Sequence, residues 1–284
     1  MRIDLHTHTT ASDGTLSPRE LVRLARQVGV GVLGITDHDT VKGVAEALDE
    51  GARAGVEVVP GVELSTDVPG TEVHILGYFV DWEADWFAAF LSGMRRARLA
   101  RAREMVRRLN ALGVPITFED VVRYADGAIG RPHVARALVE RGHVATFDEA
   151  FDRYIGRHGP AYVERPRFAP EEAVQTIRAA AGVPVLAHPL WGGEPERIEA
   201  LVGVGLMGIE AYYPEHTPSQ TRSFVELGRR LGLVLTGGSD YHGPGIGSKA
   251  PLGSQYVPPQ AVEELRKAKE RVVSGGSSRP TPRP

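Results

Sequence analysis

Three features of the 284-residue chain predict an α/β fold built mainly on parallel strands. Short apolar runs alternate with segments of helical periodicity. The histidines and carboxylates gather where those runs end. The length allows one large α/β barrel or two ordinary domains. Seven runs read as strands, centred on Ile3–Leu5, Val32–Ile35, Val56–Val59, Val73–Leu76, Val183–Ala187, Met207–Glu210 and Leu233–Thr236. Between the first two, Ser17 is placed to cap a helix, Pro18 suits its first position and Glu20 completes a capping box, ahead of Leu21, Val22, Leu24, Ala25 and Val28. A second helix is expected over Val41–Ala54. The resulting β-α-β-α-β rhythm implies parallel pairing.

The third and fourth strands break that rule. The stretch Ser65–Glu72 is shorter than a parallel crossover, which needs about a dozen residues, so an antiparallel hairpin turning at Pro69-Gly70 is expected. Beyond residue 84 the rhythm changes again. Trp86–Leu112 carries Phe90, Leu91, Met94, Met105, Val106 and Leu109 at helical spacing, with Gly113 and Pro115 ending it. Shorter helices are expected over Phe118–Tyr124, His133–Arg141 and Phe147–Tyr154. The predicted organisation is therefore a first barrel part over 1–83, a helical insertion over 84–166, a second barrel part over 167–273 and a disordered tail over 274–284.

Composition narrows the chemistry. Hydrophobic residues make up 42% of the chain, enough for a sizeable core, and the net charge of -3 gives no sign of a protein that coats polyanions. With no cysteine, zinc-thiolate sites, iron–sulfur clusters, disulfides and a cysteine nucleophile are excluded. No apolar run approaches the ~20 residues of a membrane span. Met1–His6 reads directly as a strand, without the regions of a signal peptide, and a cytoplasmic location is expected.

The ten histidines carry the strongest signal. His6 and His8 share one face of a strand, with Asp4, while Ile3 and Leu5 face the other way. His38 follows the second strand, Glu63 the third, His188 the fifth, and Asp240 and His242 the seventh. The hairpin would set His74 beside Glu63. One rim of a barrel would thus collect His6, His8, Asp13, His38, Glu63, His74, His188, Asp240 and His242, the rim where such barrels place active sites. This donor set fits Mn, Fe or Zn better than Ca or Mg alone. Closely spaced ions there could activate water and clamp an in-line phosphoryl displacement.

His6-Thr7-His8 through Asp13-Gly14, Ile35-Thr36-Asp37-His38-Asp39-Thr40, Pro60-Gly61-Val62-Glu63, His74-Ile75-Leu76-Gly77, Ala187-His188-Pro189 and Gly238-Ser239-Asp240-Tyr241-His242 together resemble the polymerase and histidinol phosphatase (PHP) superfamily. The resemblance implies a distorted, TIM-like seven-stranded β/α barrel with three divalent ions, Mn favoured and Fe or Zn as alternatives. It implies one ion on His6, His8, Glu63 and Asp240, a second on Asp13, His38 and His242, and a third on His74, His188 and a bridging Glu63. Within the superfamily the chain resembles 3′,5′-nucleoside bisphosphate phosphatases that also act as 5′-to-3′ exoribonucleases. Its Ile129-Gly130-Arg131-Pro132-His133 resembles their substrate-facing segment, as Tyr154-Ile155-Gly156-Arg157 does in part, Lys being expected at 157 as readily as Arg.

The expected substrate is a phosphorylated nucleotide or short oligonucleotide, with no membrane and no obligatory protein partner. Arg131, His133 and Arg157 are the expected substrate contacts, although arginines in turns are commonly just solvated. His188 and His216 are candidates for helping protonate the leaving group; His216 reads equally as a loop histidine. Trp191 would stack on a base or pack its loop. The seven arginines from Arg95 to Arg108 read first as a solvated helix face and second as a guide for phosphates. A histidinol-phosphate or other small-molecule phosphatase is the rival enzyme reading. An accessory role in replication and a non-catalytic metal-binding module stand behind it.

Overall fold

The computed structural model describes residues 1–68, 71–123, 127–164, 167–190, 193–244 and 250–275. Seven strands form one sheet in chain order: β1 (Arg2–Asp4), β2 (Val30–Ile35), β3 (Glu57–Val68), β4 (Thr71–Tyr78), β5 (Val183–Leu186), β6 (Gly208–Tyr212) and β7 (Val234–Gly237). The pairs β1–β2, β2–β3, β5–β6 and β6–β7 are parallel, and β4 runs antiparallel to both neighbours. The expected hairpin is present, pairing Gly61 with Tyr78 through to Val68 with Thr71. Its tip, Pro69-Gly70, lies outside the described residues. So do Tyr124, Trp191 and residues 276–284.

Two expectations change here. Glu63 does not follow the third strand but lies inside it, because antiparallel pairing with β4 prolongs β3 to Val68. The sheet also does not close as a barrel. β1 and β7, three and four residues long, are its edges, and among the described residues no strand ladder joins them. The two edges do meet past their ends. Leu5 N donates to Gly237 O at 3.3 Å, His8 N donates to Tyr241 O at 2.9 Å, and Thr7 and Tyr241 form an isolated parallel bridge.

Ten α-helices are present among the described residues. α1 (Pro18–Gln27) starts as its sequence demands: Ser17 Oγ accepts from Glu20 N, and Glu20 accepts from Ser17 N at 2.8 Å. α2 (Val44–Ala54) begins three residues later than expected and ends on Gly55, whose φ of 69° suits only glycine without strain. Between β4 and β5 come α3 (Asp85–Ala111), α4 (Phe118–Val122), α5 (Arg131–Glu140) and α6 (Phe147–Ala150), the last running into a π turn at Phe151–Ile155. α7 (Pro170–Ala179), α8 (Pro195–Gly203), α9 (Pro218–Arg230) and α10 (Ala261–Ser274) complete the chain. No described helix is long and apolar enough to cross a membrane.

The core explains how these pieces hold the site. Ile3, Val32, Val59, Leu76, Val183 and Val234, from six strands, share one buried cluster with Leu265 and Ala268 of α10. The helical stretch builds a separate cluster from Met105, Leu109, Val134, Leu138 and Ile155. α3 joins the helical cluster to a third one: Phe87 and Leu91 pack with Leu64, Ile75 and the sheet's outer helices, Met105 and Leu109 with the helical cluster.

Asp4 ties the sheet edges together. Fully buried, it accepts from Ser239 N at 2.9 Å, Ser239 Oγ at 2.6 Å and Gly253 N at 2.8 Å. Asp4→Ala leaves those donors unpaired, so urea unfolding should show a loss of roughly 3 kcal/mol. A loss below about 1 kcal/mol would mean water or relaxation satisfies them.

Candidate metal centre

All nine expected ligands converge. Three of the loops that carry them leave strands at β1, β2 and β7; Glu63 and His74 stand on the β3–β4 hairpin, and His188 follows β5. Glu63 is the hub. Its Oε2 lies 3.3 Å from His6 Nε2, 3.3 Å from His8 Nε2 and 3.1 Å from His38 Nδ1. Its Oε1 lies 2.8 Å from His74 Nδ1 and 3.0 Å from His188 Nε2. Asp240 Oδ1 lies 3.4 Å from His6 Nε2 and 3.1 Å from His8 Nε2. On the far side, Asp13 is 3.4 Å from His242 Nε2, 3.7 Å from His38 Nε2 and 3.7 Å from His8 Nδ1.

The His74 and His188 contacts are of hydrogen-bond length, whereas those of His6 and His8 suit donors that share an ion. Donors 2.0–2.2 Å from a tetrahedral ion lie roughly 3.3–3.6 Å apart. The four contacts of His6 and His8 with Glu63 and Asp240 run 3.3, 3.4, 3.3 and 3.1 Å. Among the described residues, both ring nitrogens of buried His8, and Asp13 Oδ1, have no hydrogen bond of acceptable geometry. Polar atoms orphaned this way, aimed at oxygen and nitrogen donors, are what an ion-binding site leaves when read as protein alone. The groups able to hold a metal are His8–Asp13–His38–His242, His6–His8–Asp240, His6–Glu63–His188 and His38–Glu63–His74.

The electrostatics agree. Burial opposes charge on His6, yet Glu210, Asp240 and Glu63 raise its pKa well above the ordinary value. Burial likewise opposes charge on His8, and Asp240 and Glu63 still push it up to about 10. The carboxyls of Asp13, Glu63 and Asp240 are held well below the usual range against burial by the surrounding imidazoles. His38 goes the other way: burial, helped by His8 and Arg98, outweighs Glu63 and Asp13 and keeps it neutral. The carboxylates require nearby cations, and divalent ions would replace the protons that the imidazoles otherwise hold.

Residues that sequence reasoning passed over complete the centre. Glu210, buried in the middle of β6, puts Oε1 3.0 Å from His6 Nδ1 and accepts from His188 N at 2.8 Å. The signal was present, a carboxylate closing an apolar run. Asp37 accepts from Thr9 N at 2.7 Å and Ser12 Oγ at 2.6 Å, fixing the loop after β1. Tyr213 OH donates to Asp240 Oδ2 at 3.0 Å. His188 and Asp240 both have positive φ, 23° and 52°, a strain that clusters at functional sites.

A cleft of about 620 Å³ opens over Glu63, His74, His188 and Asp240, within the range of small-molecule sites. Arg131, Arg157, His158, Phe151 and Tyr213 also line it. Arg131 pairs with Glu72 at 2.7 Å and lies over the Phe151 ring; Arg157 pairs with Asp67 at 2.7 Å. His158, which no sequence pattern singled out, is thus brought to the cleft. His133 is buried in the first turn of α5, its Nδ1 accepting from Gly130 N at 3.1 Å, and is not among the cleft-lining residues. His216 stands behind Tyr213, donating through Nδ1 to Ala211 O at 3.0 Å and packing on Phe224. The solvated reading of the arginine-rich helix fails at two positions: Arg98 and Arg101 are buried, on the stripe that Met94, Met105 and Leu109 define.

Fold and donors together define an α/β protein with a carboxylate- and imidazole-rich metal centre. The PHP domain family matches residues 4–156. A 5′-3′ exoribonuclease of Haemophilus influenzae is 34% identical, the match covering 86% of this chain and 90% of that protein. A 3′,5′-nucleoside bisphosphate phosphatase of Chromobacterium violaceum is also 34% identical, over 95% of this chain and 98% of that one. The crystal structure of a candidate metal-dependent phosphoesterase from Bifidobacterium adolescentis superposes with a TM-score of 0.86 at 32% identity, covering 94% of this chain and 96% of the other. The chain belongs to the PHP domain family.

Proposed function

We propose that this chain is a metal-dependent phosphoesterase that hydrolyses phosphate esters of nucleotides, either 3′,5′-bisphosphonucleotides or short 5′-phosphorylated oligoribonucleotides. The observation that carries the reading is Glu63, one carboxylate touching five imidazoles at the base of a cleft whose wall bears Arg131 and Arg157. His6, His8, Glu63 and Asp240 would hold one divalent ion, Asp13, His38 and His242 a second, and Glu63 with His74 and His188 a third. Mn is favoured, with Fe and Zn as alternatives. Bound there, such ions supply an activated water and neutralise charge on the phosphoryl oxygens. Six of the seven strands share the cluster under α10, which supports reading residues 1–83 and 167–273 as two parts of one distorted β/α unit with an open sheet. Residues 84–166 then form the insertion that walls the cleft.

The chain's own groups do the orienting. Arg131 and Arg157 each spend one Nη2 on a carboxylate and keep other guanidinium N–H groups for phosphate oxygens. Tyr213 holds Asp240 by one oxygen, leaving Oδ1 towards His6 and His8. His188 serves as a ligand, and His216 supports Tyr213 from behind.

The test is turnover of Mn-reconstituted protein on 3′,5′-bisphosphoadenosine, 5′-phosphorylated oligoribonucleotides and histidinol phosphate. One of the nucleotide substrates should exceed histidinol phosphate in kcat/KM by at least about tenfold, and exhaustive chelation should abolish turnover. Preference for histidinol phosphate would overturn the substrate reading. Turnover that survives chelation would overturn the metal reading.

A further inference from the structure

Arg98 is a buried charge that the site described above leaves unused. It reaches inward from α3, and its three donor nitrogens go to three different segments. Nε donates to Asp39 Oδ2, Nη2 to Ser65 Oγ at 2.6 Å, and Nη1 to Ile129 O at 3.5 Å. Each acceptor borders the site. Asp39 adjoins His38, holds a positive φ of 51°, and accepts from Ser65 N at 2.9 Å. Ser65 Oγ lies 3.5 Å from His38 Nδ1. Ile129 precedes Gly130 and Arg131, and that segment rests on the loop carrying Asp13: Ala128 N donates to Ala11 O at 2.9 Å. A Cβ at Gly130 would come within 3.1 Å of Arg98 Nη1, so glycine there lets the backbone close on the guanidinium.

We propose that Arg98 is a positioning residue that locks the His38 loop and the Ile129–Arg131 loop into one register, coupling a metal-ligand loop to a substrate-contacting loop. The inference rests on the metal and substrate reading above for its consequences, but the geometry of the two loops stands without it. A planar guanidinium can serve three acceptors at fixed angles; an ammonium keeps the charge and loses that fork. A cavity of about 230 Å³, lined by Asp39, Ser65, Met94, Ala97 and Phe168 among others, borders Arg98 and gives a lysine room to settle.

Arg98→Lys is therefore the test, with Arg101→Lys as the control. Arg101 is also buried on α3 but donates to Val163 O at 2.6 Å. In Arg98→Lys, amide hydrogen exchange should quicken at least about tenfold in both 37–40 and 128–131, and Mn binding should weaken roughly tenfold with a matching rise in KM. Arg101→Lys should leave exchange in 37–40 unchanged. Unaltered exchange in either loop of Arg98→Lys, or quickening in only one, overturns the coupling. A lowered Tm with wild-type exchange and Mn affinity below it makes the role purely structural and also overturns it. If the wild type turns over none of the nucleotide substrates, the exchange and Mn measurements still decide.

Discussion

Glu63→Gln should lower kcat/KM by at least about a thousandfold, a loss of roughly 4 kcal/mol of transition-state stabilisation. The reason lies in how many donors converge on that side chain. Oε2 faces His6, His8 and His38, and Oε1 faces His74 and His188. Glutamine keeps the shape but replaces one oxygen with an N–H group that can neither ligate nor accept. Two of the three proposed ligand sets share Glu63, so a single substitution is expected to weaken both. The fold should survive, because Glu63 sits in a strand whose backbone ladder with β4 is independent of its side chain. Phosphate release, metal content by mass spectrometry and circular dichroism measure the three parts separately. A variant that retains full metal content and turnover within tenfold of wild type would remove Glu63 from the centre.

Much of this was legible in the sequence because strand chemistry is local. The His-x-His spacing brought His6 and His8 to one cluster, although β1 ends at Asp4 and both lie in the loop past it rather than on a strand face, and the short Ser65–Glu72 connection demanded a hairpin. What parity could not supply is direction in three dimensions. Asp4, expected on one strand face with His6 and His8, is the last residue of β1 and turns to Ser239 and Gly253 rather than to the cluster. Glu63 was expected past a strand end, because length read from one apolar run cannot foresee how far a partner strand prolongs it. The arginine-rich helix misled for a related reason. Counting charges gave a solvated face, whereas the stripe through Met94 and Met105 passes through Arg98 and Arg101. A charge at a core position means a partner from another element, and Asp39 and Val163 lie far away in sequence. Helices α7 to α10 bear none of the histidines and carboxylates that mark the strand ends, although Pro170, Pro195 and Pro218 each begin one.

Glu210 shows how far the outer contacts matter, and Glu210→Gln should weaken Mn binding by roughly 10–100-fold, with kcat/KM falling alongside at limiting metal. Both its oxygens approach His6 Nδ1, at 3.0 and 3.2 Å, and Oε2 also accepts from His188 N. A carboxylate there makes Nδ1 the protonated nitrogen of His6 and leaves Nε2, with its lone pair, facing Glu63 and Asp240. The same contact pins the backbone of His188, which holds an uncommon positive φ. In glutamine one oxygen remains to accept, so either His6 or His188 loses its anchor. The ligands themselves are untouched, which separates this variant from Glu63→Gln. Excess Mn should restore most of the turnover of Glu210→Gln, because weakened sites refill by mass action. It should restore little in Glu63→Gln, where a donor common to two sets is gone. Titrating both variants with Mn while following phosphate release measures that contrast. Identical responses would mean that Glu210 acts as a ligand in its own right and that the centre is larger than the nine residues predicted it to be.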